Sequence, residues 1–250
     1  MTADQPVRPA NIANIVAINQ GTRPLTMGEP DAPALGPAVV ADLQAAGAIV
    51  IDTRPTAAFG AAHMPGALNI QLTTPEFEQR VGWVTPLDVP LVLVLAHDDL
   101  KLRALRALAF LGLDGRVKGF LAGGLDAWTA AGRETAVLPQ VSPQELHQRL
   151  TGGSPPRVLD VRENVEWNAG HLGGAHLQSY RQLPQRVADL PFTPDAPIAV
   201  ICHSGTRSST AASLLRHHGF TRVSNVTGGV VGWRQAGLPL VDAEGCAVST

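Results

Sequence analysis

The chain repeats itself, and an internal repeat decides how many domains a chain can form. The segment IVIDTRPTAAFGAAHMPGALNI (residues 49–70) matches RVLDVRENVEWNAGHLGGAHL (residues 157–177). Residues identical in both copies stand at one offset of 108: Asp52 and Asp160, Arg54 and Arg162, His63 and His171, Gly66 and Gly174, and Ala67 and Ala175. GGLDAWTAAG (residues 123–132) later matches GGVVGWRQAG (residues 228–237) at an offset of 105. Two homologous domains of roughly a hundred residues fit this pattern better than one fold.

The repeat also sets the expected domain boundaries. Residues 1–35 lie outside it, and the Pro-rich stretch EPDAPALGP (residues 29–37) predicts a linker or an arm lying on the first domain. We expect the first domain over residues 36–138, the second over residues 139–243, and a short tail over residues 244–250.

Each copy has the pattern of an α/β domain. In the second copy, SPQELHQRL (residues 142–150) begins with a helix-start signature at Ser142 and precedes the apolar strand RVLDV. A strand at IAVIC (residues 198–202) is followed by a helix from about Ser208, by the strand RVSNV, and by a closing helix near Trp233. Short apolar strands alternating with helices predict a mostly parallel sheet flanked by helices.

The composition limits the classes of molecule that this chain is expected to bind. The chain carries 19 basic and 21 acidic residues, a net charge of −2, with no block of like charge, so we expect no nucleic acid and no membrane surface as a partner. The longest purely apolar run, LVLVLA (residues 91–96), is too short to cross a bilayer, and the N-terminus lacks the pattern of a signal peptide. No Cys/His pair has zinc-site spacing. These observations predict a cytoplasmic protein without a metal or cofactor, whose partner is a small molecule or another protein.

One of the two cysteines, Cys202, stands where a parallel α/β sheet binds ligands, at the carboxyl end of a strand. The loop HSGTR follows it and a helix comes next, so Gly205 can turn backbone N–H groups inward and the helix start adds its positive dipole. Arg207 adds a full charge with a fork suited to oxyanions. Such a setting stabilises a thiolate, the nucleophilic form of cysteine. The alternative is a buried core thiol, and we favour the nucleophile.

Taken together, the DxR and GHxxGA segments, the CHSGTRS loop and the closing GGxxxW resemble the rhodanese family of sulfurtransferases over residues 40–242. The resemblance implies two tandem rhodanese-like domains, with the active loop in the second. It also implies that Cys202 takes a sulfane sulfur from a donor such as thiosulfate, 3-mercaptopyruvate or a low-molecular-weight persulfide. The persulfide formed on the cysteine then passes its sulfur to a thiol or cyanide-like acceptor.

The resemblance further implies a set of substrate-binding residues: His203, Ser204, Gly205, Thr206, Arg207 and Arg162. For Arg162 two roles stay open, a second cation for the donor or a structural partner of Glu166 or Asp160. His203 either tunes Cys202 or points outward.

The active loop departs from the best-known two-domain patterns. Thiosulfate enzymes resemble C-R-K-G-V-T and mercaptopyruvate enzymes resemble C-G-S-G-V-T, whereas this loop reads C-H-S-G-T-R. It is closer to single-domain rhodaneses of the C-x-S-G-x-R type. A less cationic loop favours a donor less charged than thiosulfate, such as a low-molecular-weight persulfide.

The first copy carries no cysteine. Alignment from Pro90 and Pro197 puts Leu95 at the nucleophile position, and a shift of one residue puts Ala96 there. The following DDLKLR is acidic where an anion loop needs a positive field. We therefore expect a structural first domain.

A further resemblance concerns possible partners. NIANIVAINQG (residues 11–21), GWVTPLDVP (residues 82–90) and the cysteine-free first domain are similar to the rhodanese tail of fused metallo-β-lactamase-fold proteins, persulfide-dioxygenase-like ones included. The H-x-H-x-D-H cluster of that fold does not occur in this sequence. The resemblance implies a separate sulfur-oxidising or hydrolase protein as a partner in trans.

Two other functions compete. A phosphatase or arsenate reductase uses the same cysteine, anion loop and arginine, but with C-x5-R spacing, whereas Cys202 and Arg207 have C-x4-R spacing. The other alternative is a non-catalytic protein-binding module.

The second cysteine and the repeated histidines are further candidate residues. Cys246, in the tail, is either incidental or a resolving or sulfur-accepting thiol. Because His63 and His171 occur in both copies, we favour a turn-stabilising hydrogen bond over chemistry for each of them.

Overall fold

The computed structural model describes residues 12–22 and 28–248, which divide into two compact units. One unit comprises the described residues up to 55 together with 63–136, and the other comprises 56–62 and 137–248. The helices of the first half are α1 (Ile12–Asn19), α2 (Pro37–Ala45), α3 (Thr56–Ala61), α4 (Phe77–Val84), α5 (Lys101–Phe110) and α6 (Gly124–Ala130). Its strands are β1 (Ala34–Leu35), β2 (Ile49–Asp52), β3 (Leu68–Asn69), β4 (Leu91–Val94) and β5 (Val117–Leu121).

The second half repeats this order. Its helices are α7 (Pro143–Leu150), α8 (Asn164–Asn168), α9 (Leu183–Arg186), α10 (Thr206–His217) and α11 (Gly229–Gln235). Its strands are β6 (Gln140–Val141), β7 (Arg157–Asp160), β8 (His176–Leu177), β9 (Ile198–Ile201), β10 (Val223–Val226), β11 (Leu240–Val241) and β12 (Ala247–Val248).

Each half forms a five-stranded sheet of one topology. The strand orders are β1-β5-β4-β2-β3 and β6-β10-β9-β7-β8, and the pairings within both sheets are parallel. The central strands β4 and β9 are buried along their whole length, as expected where helices cover both faces. The α/β fold with two mostly parallel sheets is confirmed.

Local sequence explains where the helices begin. The Ser142 hydroxyl accepts the Glu145 N–H at 3.2 Å, and a Glu145 carboxylate oxygen accepts the Ser142 N–H at 2.8 Å, so a capping box starts α7 where the sequence predicts it. Helix α10 begins at Thr206, two residues before the predicted start. The reason is Gly205, whose φ of 99° turns the chain directly into the helix.

Within the described residues, parts of the first segment and of the tail form strands that the sequence does not predict. Ala34 and Leu35, expected in the arm, form an edge strand that pairs with β5. In the tail, the carboxylate of Asp242 accepts the N–H groups of Glu244 and Cys246, and β11 and β12 form an antiparallel hairpin. Residues 1–11 and 23–27 of the expected arm and residues 249–250 of the expected tail lie outside the described residues.

Candidate active site

The crevice of the second sheet lies between the loops that follow β7 and β9. These strands are neighbours, but the chain continues from β7 to β8 on one side and from β9 to β10 on the other. Loops that leave neighbouring parallel strands in opposite directions open a crevice at the carboxyl end of the sheet. Cys202 is the first residue after β9, so it lies at this crevice.

Cys202 is buried, with 1% of its surface exposed, and two donors reach its sulfur. The Gly205 N–H donates to Sγ at 3.1 Å, and the hydroxyl of Ser208 lies 3.3 Å from Sγ. Gly205 is the N-cap of α10, so the sulfur lies against the positive end of a helix of 12 residues. A backbone N–H, a hydroxyl and the positive end of a helix therefore all face the sulfur.

The closing GGxxxW motif holds this loop from the other side. Val230 donates its N–H to the Cys202 carbonyl at 2.8 Å, and Val231 donates to the His203 carbonyl at 3.0 Å. Gly229 has a φ of 55°, and a Cβ built on it would lie 2.3 Å from the Cys202 oxygen. Only glycine allows this approach. Because a trans peptide directs its C=O and N–H oppositely, the N–H groups of His203 and Ser204 point away from α11.

Arg207 forms a bidentate ion pair with Glu166, with nitrogen–oxygen distances of 2.6 and 2.7 Å. Burial alone would raise the pKa of the Glu166 carboxyl, but hydrogen bonds from Arg207 and the Glu163 N–H, with the charges of Arg207 and Arg162, hold that pKa below its ordinary value. Burial alone would lower the pKa of Arg207, but Glu166 and the charge of Cys202 raise it. The loop's arginine is therefore a cation already paired with a carboxylate.

Arg162 has a different environment. Its side chain is buried and forms an ion pair with Asp160, with Nε donating at 3.0 Å and a terminal nitrogen at 2.7 Å. The guanidinium of Arg162 also donates to the carbonyls of Glu166 and Gly170. Arg54 and Asp52 form the same pair in the first unit. These contacts favour the structural alternative for Arg162, and a contact with a sulfur donor stays a prediction.

The other predicted residues of the loop lie around the crevice with unequal exposure. The side chain of His203 is 60% exposed, and its Nδ1 lies 4.0 Å from Glu166 Oε1. Ser204 is exposed, and Thr206 is half-buried in the first turn of α10. The Gly205 N–H contacts the sulfur, and Arg207 lies near enough to interact with the charge of Cys202. The exposed side chains of His203 and Ser204 form the outer rim of the crevice.

The sequence does not identify two residues of this site: Ser208, which contacts the sulfur, and Glu166, which pairs with Arg207. A signal for both exists in the repeat. At the offset of 108, Glu166 corresponds to Ala58. Helices α5 and α10 end with equivalent backbone bonds, and counting back from those ends aligns Lys101 with Ser208. Both are therefore present only in the copy that carries the cysteine, whereas the Asp–Arg pair is present in both copies.

The first unit places a leucine at the nucleophile position. Val94 pairs with Asp52 as Ile201 pairs with Asp160, so Leu95 corresponds to Cys202 and the shifted alignment to Ala96 is wrong. Gly124 lies close to the Leu95 carbonyl, as Gly229 does to that of Cys202. Asp98, in the loop after Leu95, accepts the N–H of Gly123 with both carboxylate oxygens at 3.1 Å, so an acidic side chain of this loop lies at the start of α6.

His171 has the structural role that the repeat predicts. Its Nδ1 lies 3.2 Å from the Trp167 carbonyl, its ring stacks on Trp167 with a centroid separation of 3.5 Å, and its backbone bridges to Val241. His63 forms the corresponding bridge to Ala136. Within residues 12–22 and 28–248, no group of three His, Cys, Asp or Glu side chains is arranged to hold a metal ion. No helix among these residues is both long and apolar enough to cross a membrane.

Comparison with known proteins agrees with this geometry. Residues 37–131 and 142–236 both match the Rhodanese-like domain. A sulfurtransferase of Allochromatium vinosum is 31% identical over 106 residues, which are 42% of this chain and 97% of that protein. A tRNA uridine(34) hydroxylase of Chlamydia felis is 36% identical over 102 residues, 38% of this chain but only 31% of that protein.

Among solved structures, the thiosulfate sulfurtransferase of Pseudomonas aeruginosa is 25% identical to this chain. The match covers 85% of this chain and 44% of that one, with a TM-score of 0.39.

Proposed function

The chain belongs to the rhodanese-like domain family, and on that premise we propose that it is a sulfurtransferase in which Cys202 carries a sulfane sulfur as a persulfide. The observation that carries the proposal is the pair of donors on the Cys202 sulfur, the Gly205 N–H and the Ser208 hydroxyl, at the start of α10. A core thiol needs neither donor, and the first unit, with Leu95 at this position, has Lys101 in place of Ser208.

The reaction has two displacements without net oxidation. First, the Cys202 thiolate attacks the outer sulfur of a donor such as a persulfide, R–S–S–H. A sulfur–sulfur bond forms to Cys202, the donor's own bond breaks, and the leaving R–S⁻ takes the electron pair and the proton. Second, an acceptor thiolate or cyanide attacks the outer sulfur of the Cys202 persulfide, and the cysteine leaves as a thiolate. With thiosulfate as donor, the first leaving group is sulfite.

The loop supplies what the intermediate needs. A persulfide places its negative charge one sulfur farther out than a thiolate does. The N–H groups of His203 and Ser204, directed away from α11 because Val230 and Val231 hold the preceding carbonyls, offer donors for that outer charge. Preorganised backbone donors cost no rearrangement when the charge moves.

The ion pair between Arg207 and Glu166 bears on the donor. A loop whose arginine stands free attracts a dianion such as thiosulfate, whereas a loop whose arginine is neutralised at 2.6 Å gives that dianion less advantage. This supports a low-molecular-weight persulfide, whose reacting sulfur group carries a single negative charge, as the preferred donor. A thiol would be the natural acceptor, and a sulfur-oxidising protein that consumes the product would be a partner in trans.

The roles of the two domains follow from their sites. We assign catalysis to the domain over residues 139–243 and a structural role to the one over residues 36–138, because the latter combines Leu95 at the nucleophile position with the acidic Asp98 in the loop that follows it.

The proposal is tested by turnover with three donors used separately: thiosulfate, 3-mercaptopyruvate and glutathione persulfide. Cyanide serves as the acceptor, and thiocyanate is measured. Cys202→Ala is the inactive control, and Cys246→Ser, which removes the exposed second cysteine, is the matched control. We expect activity with at least one donor, highest kcat/KM with the persulfide, no activity in Cys202→Ala and full activity in Cys246→Ser.

Two results would reject the proposal. One is no thiocyanate from any donor, together with hydrolysis of phosphotyrosine or reduction of arsenate, which would favour the phosphatase or reductase. The other is equal activity in Cys202→Ala and the unsubstituted chain, which would place the chemistry elsewhere.

A further inference from the structure

A cavity of about 310 Å³ opens at the end of the second unit's sheet that lies opposite Cys202. Three arginines are among its lining residues, Arg149, Arg216 and Arg222. We propose that this cavity binds a small molecule through a phosphate- or sulfate-type oxyanion. This inference goes beyond the sulfur-transfer reaction and does not depend on it.

The position of the cavity separates it from the active site. Pro197 and Ile198 line it where β9 begins, and Val223 lines it where β10 begins. Cys202 follows the other end of β9, four residues along, which is roughly 13 Å at about 3.3 Å per residue. A ligand held by the arginines is therefore not a ligand of the cysteine loop.

The charge of the cavity is of one sign. Its lining includes no aspartate or glutamate, and no described residue forms an ion pair with any of the three arginines. Glu145 interacts electrostatically with Arg149, and Asp195 does so with Arg222. Both acids are exposed and lie outside the cavity lining. Arg216 donates to the Thr221 carbonyl. Arginines gathered in a lining that contains no carboxylate suit an anion, which each guanidinium can bind with two parallel donors.

The repeat shows that the fold itself does not require these arginines. Counting from the proline that begins α2 and α7, Arg149 corresponds to Leu43. The bonds from Leu113 to Leu108 and from Phe220 to Leu215 close the two equivalent helices, so Arg216 corresponds to Ala109.

The third arginine has a counterpart that is used differently. Arg222 and Arg116 both directly precede a strand, but Arg116 is buried and donates to the Val89 and Pro86 carbonyls. Arg222 is exposed at the cavity. Helix C-termini attract cations in general. However, α2 and α5, the first-unit equivalents of α7 and α10, have no basic residue in their last turns, so the fold does not require arginines there.

The size of the cavity indicates more than a bare ion. Small-molecule sites usually have volumes of roughly 300–1,000 Å³, and the volume of this cavity lies at the lower end of that range. Exposed Ser154 and half-buried Ser224 add hydroxyls to the lining. This chemistry fits a phosphorylated small molecule, in which the oxyanion contacts the arginines and the rest of the molecule fills the cavity.

The test is calorimetric titration of the full chain at low ionic strength with ADP, inorganic phosphate and adenosine. The decisive variant is Arg149→Leu with Arg216→Ala, which installs the residues of the first copy. Arg103→Leu with Lys118→Ala, exposed positions of the first unit, removes the same charge away from the cavity. Arg149→Gln with Arg216→Gln repeats the test with longer side chains, and thermal unfolding confirms that each variant folds.

We expect ADP to bind, adenosine not to bind, and the decisive variant to weaken ADP binding about tenfold or more, since two charge-assisted contacts are lost. The charge control should stay within about twofold, because exposed distant charges are screened. If phosphate displaces ADP at a similar concentration, the oxyanion alone is sufficient for binding. If phosphate binds much more weakly than ADP, the adenosine part of ADP contributes to the affinity. Absence of ADP and phosphate binding, or equal ADP affinity in both double variants, would overturn the proposal, whatever the outcome for sulfur transfer.

Discussion

Gly229→Ala tests whether the closing motif holds the cysteine loop. A Cβ at Gly229 would lie 2.3 Å from the Cys202 oxygen and 2.6 Å from both the carbonyl carbon and oxygen of His203. Real Cβ contacts are essentially never shorter than 3.0 Å, so the Cys202 carbonyl has to move by about 0.7 Å. The atoms in the way are backbone, so no side chain can swing aside.

The expected loss is large for one methyl group. A displacement of about 1 Å at reacting atoms can lower a rate about 100-fold, so we expect the sulfur-transfer kcat/KM of Gly229→Ala to fall by roughly 30- to 100-fold. The φ of 55° at this position adds about 1–2 kcal/mol of backbone strain, because alanine avoids the left-handed region. The melting temperature of the second unit should therefore drop as well.

The first unit supplies a matched control. Gly124 has the same role at the start of α6 and a φ of 57°, but its Cβ would lie 2.9 Å from the Leu95 oxygen, which requires a much smaller shift. Gly124→Ala should cost comparable backbone strain and leave sulfur transfer within about twofold. Both variants are assayed for thiocyanate formation, with circular dichroism to confirm folding.

The reasoning fails if folded Gly229→Ala keeps activity within about threefold of the unsubstituted chain, which is far less than the expected loss. It also fails if Gly124→Ala loses as much activity as Gly229→Ala does, since strain in the fold would then explain both results.

Other substitutions probe the sulfur's donors and the ion pair. Ser208→Ala should lower kcat/KM about tenfold, since a hydrogen bond to a charged sulfur contributes about 1.5 kcal/mol. Ser213→Ala, which removes a buried hydroxyl bonded to a carbonyl of the same helix, should have no such effect. Glu166→Gln should raise kcat/KM for thiosulfate relative to glutathione persulfide about tenfold, because Arg207 then meets a dianion unneutralised; an unchanged ratio of the two donors would argue against this role. Because the folded-state pKa of Glu166 is lowered, its stabilising effect is present above the ordinary pKa of 4.5 and is lost as the pH falls through the lower folded-state pKa. Melting temperatures of the unsubstituted chain and Glu166→Gln should therefore converge in acid, and a difference that persists at low pH would contradict the ion-pair origin.

Much of the fold follows from the sequence because its signals are local or repeated. The capping box at Ser142 uses residues three apart, and the buried strand β9 is a continuous apolar segment. The repeat, with an offset of 108 over its first matched segment and 105 over its last, carries the strand assignments from one copy to the other. The start of α10 is two residues off because the conformation of Gly205 depends on its packing against the segment from Val226 to Gly228.

The parts that the sequence does not predict rest on pairing between distant residues. β1 is two residues long, and only its ladder with β5 makes it a strand. Glu166 and Arg207 are 41 residues apart and meet because their loops leave neighbouring strands at one crevice. No local sequence pattern around either residue indicates that they pair. The repeat gives one signal, because the copy without the cysteine has Ala58 at the position of Glu166.

The most direct test of the account is the intact mass of the chain after incubation with glutathione persulfide and removal of excess donor, before any acceptor is added. The account predicts one added sulfur atom per chain, located on Cys202 by peptide mapping, absent from Cys202→Ala, retained in Cys246→Ser and removed by cyanide. An added sulfur that maps to Cys246, or one that persists in Cys202→Ala, would contradict it.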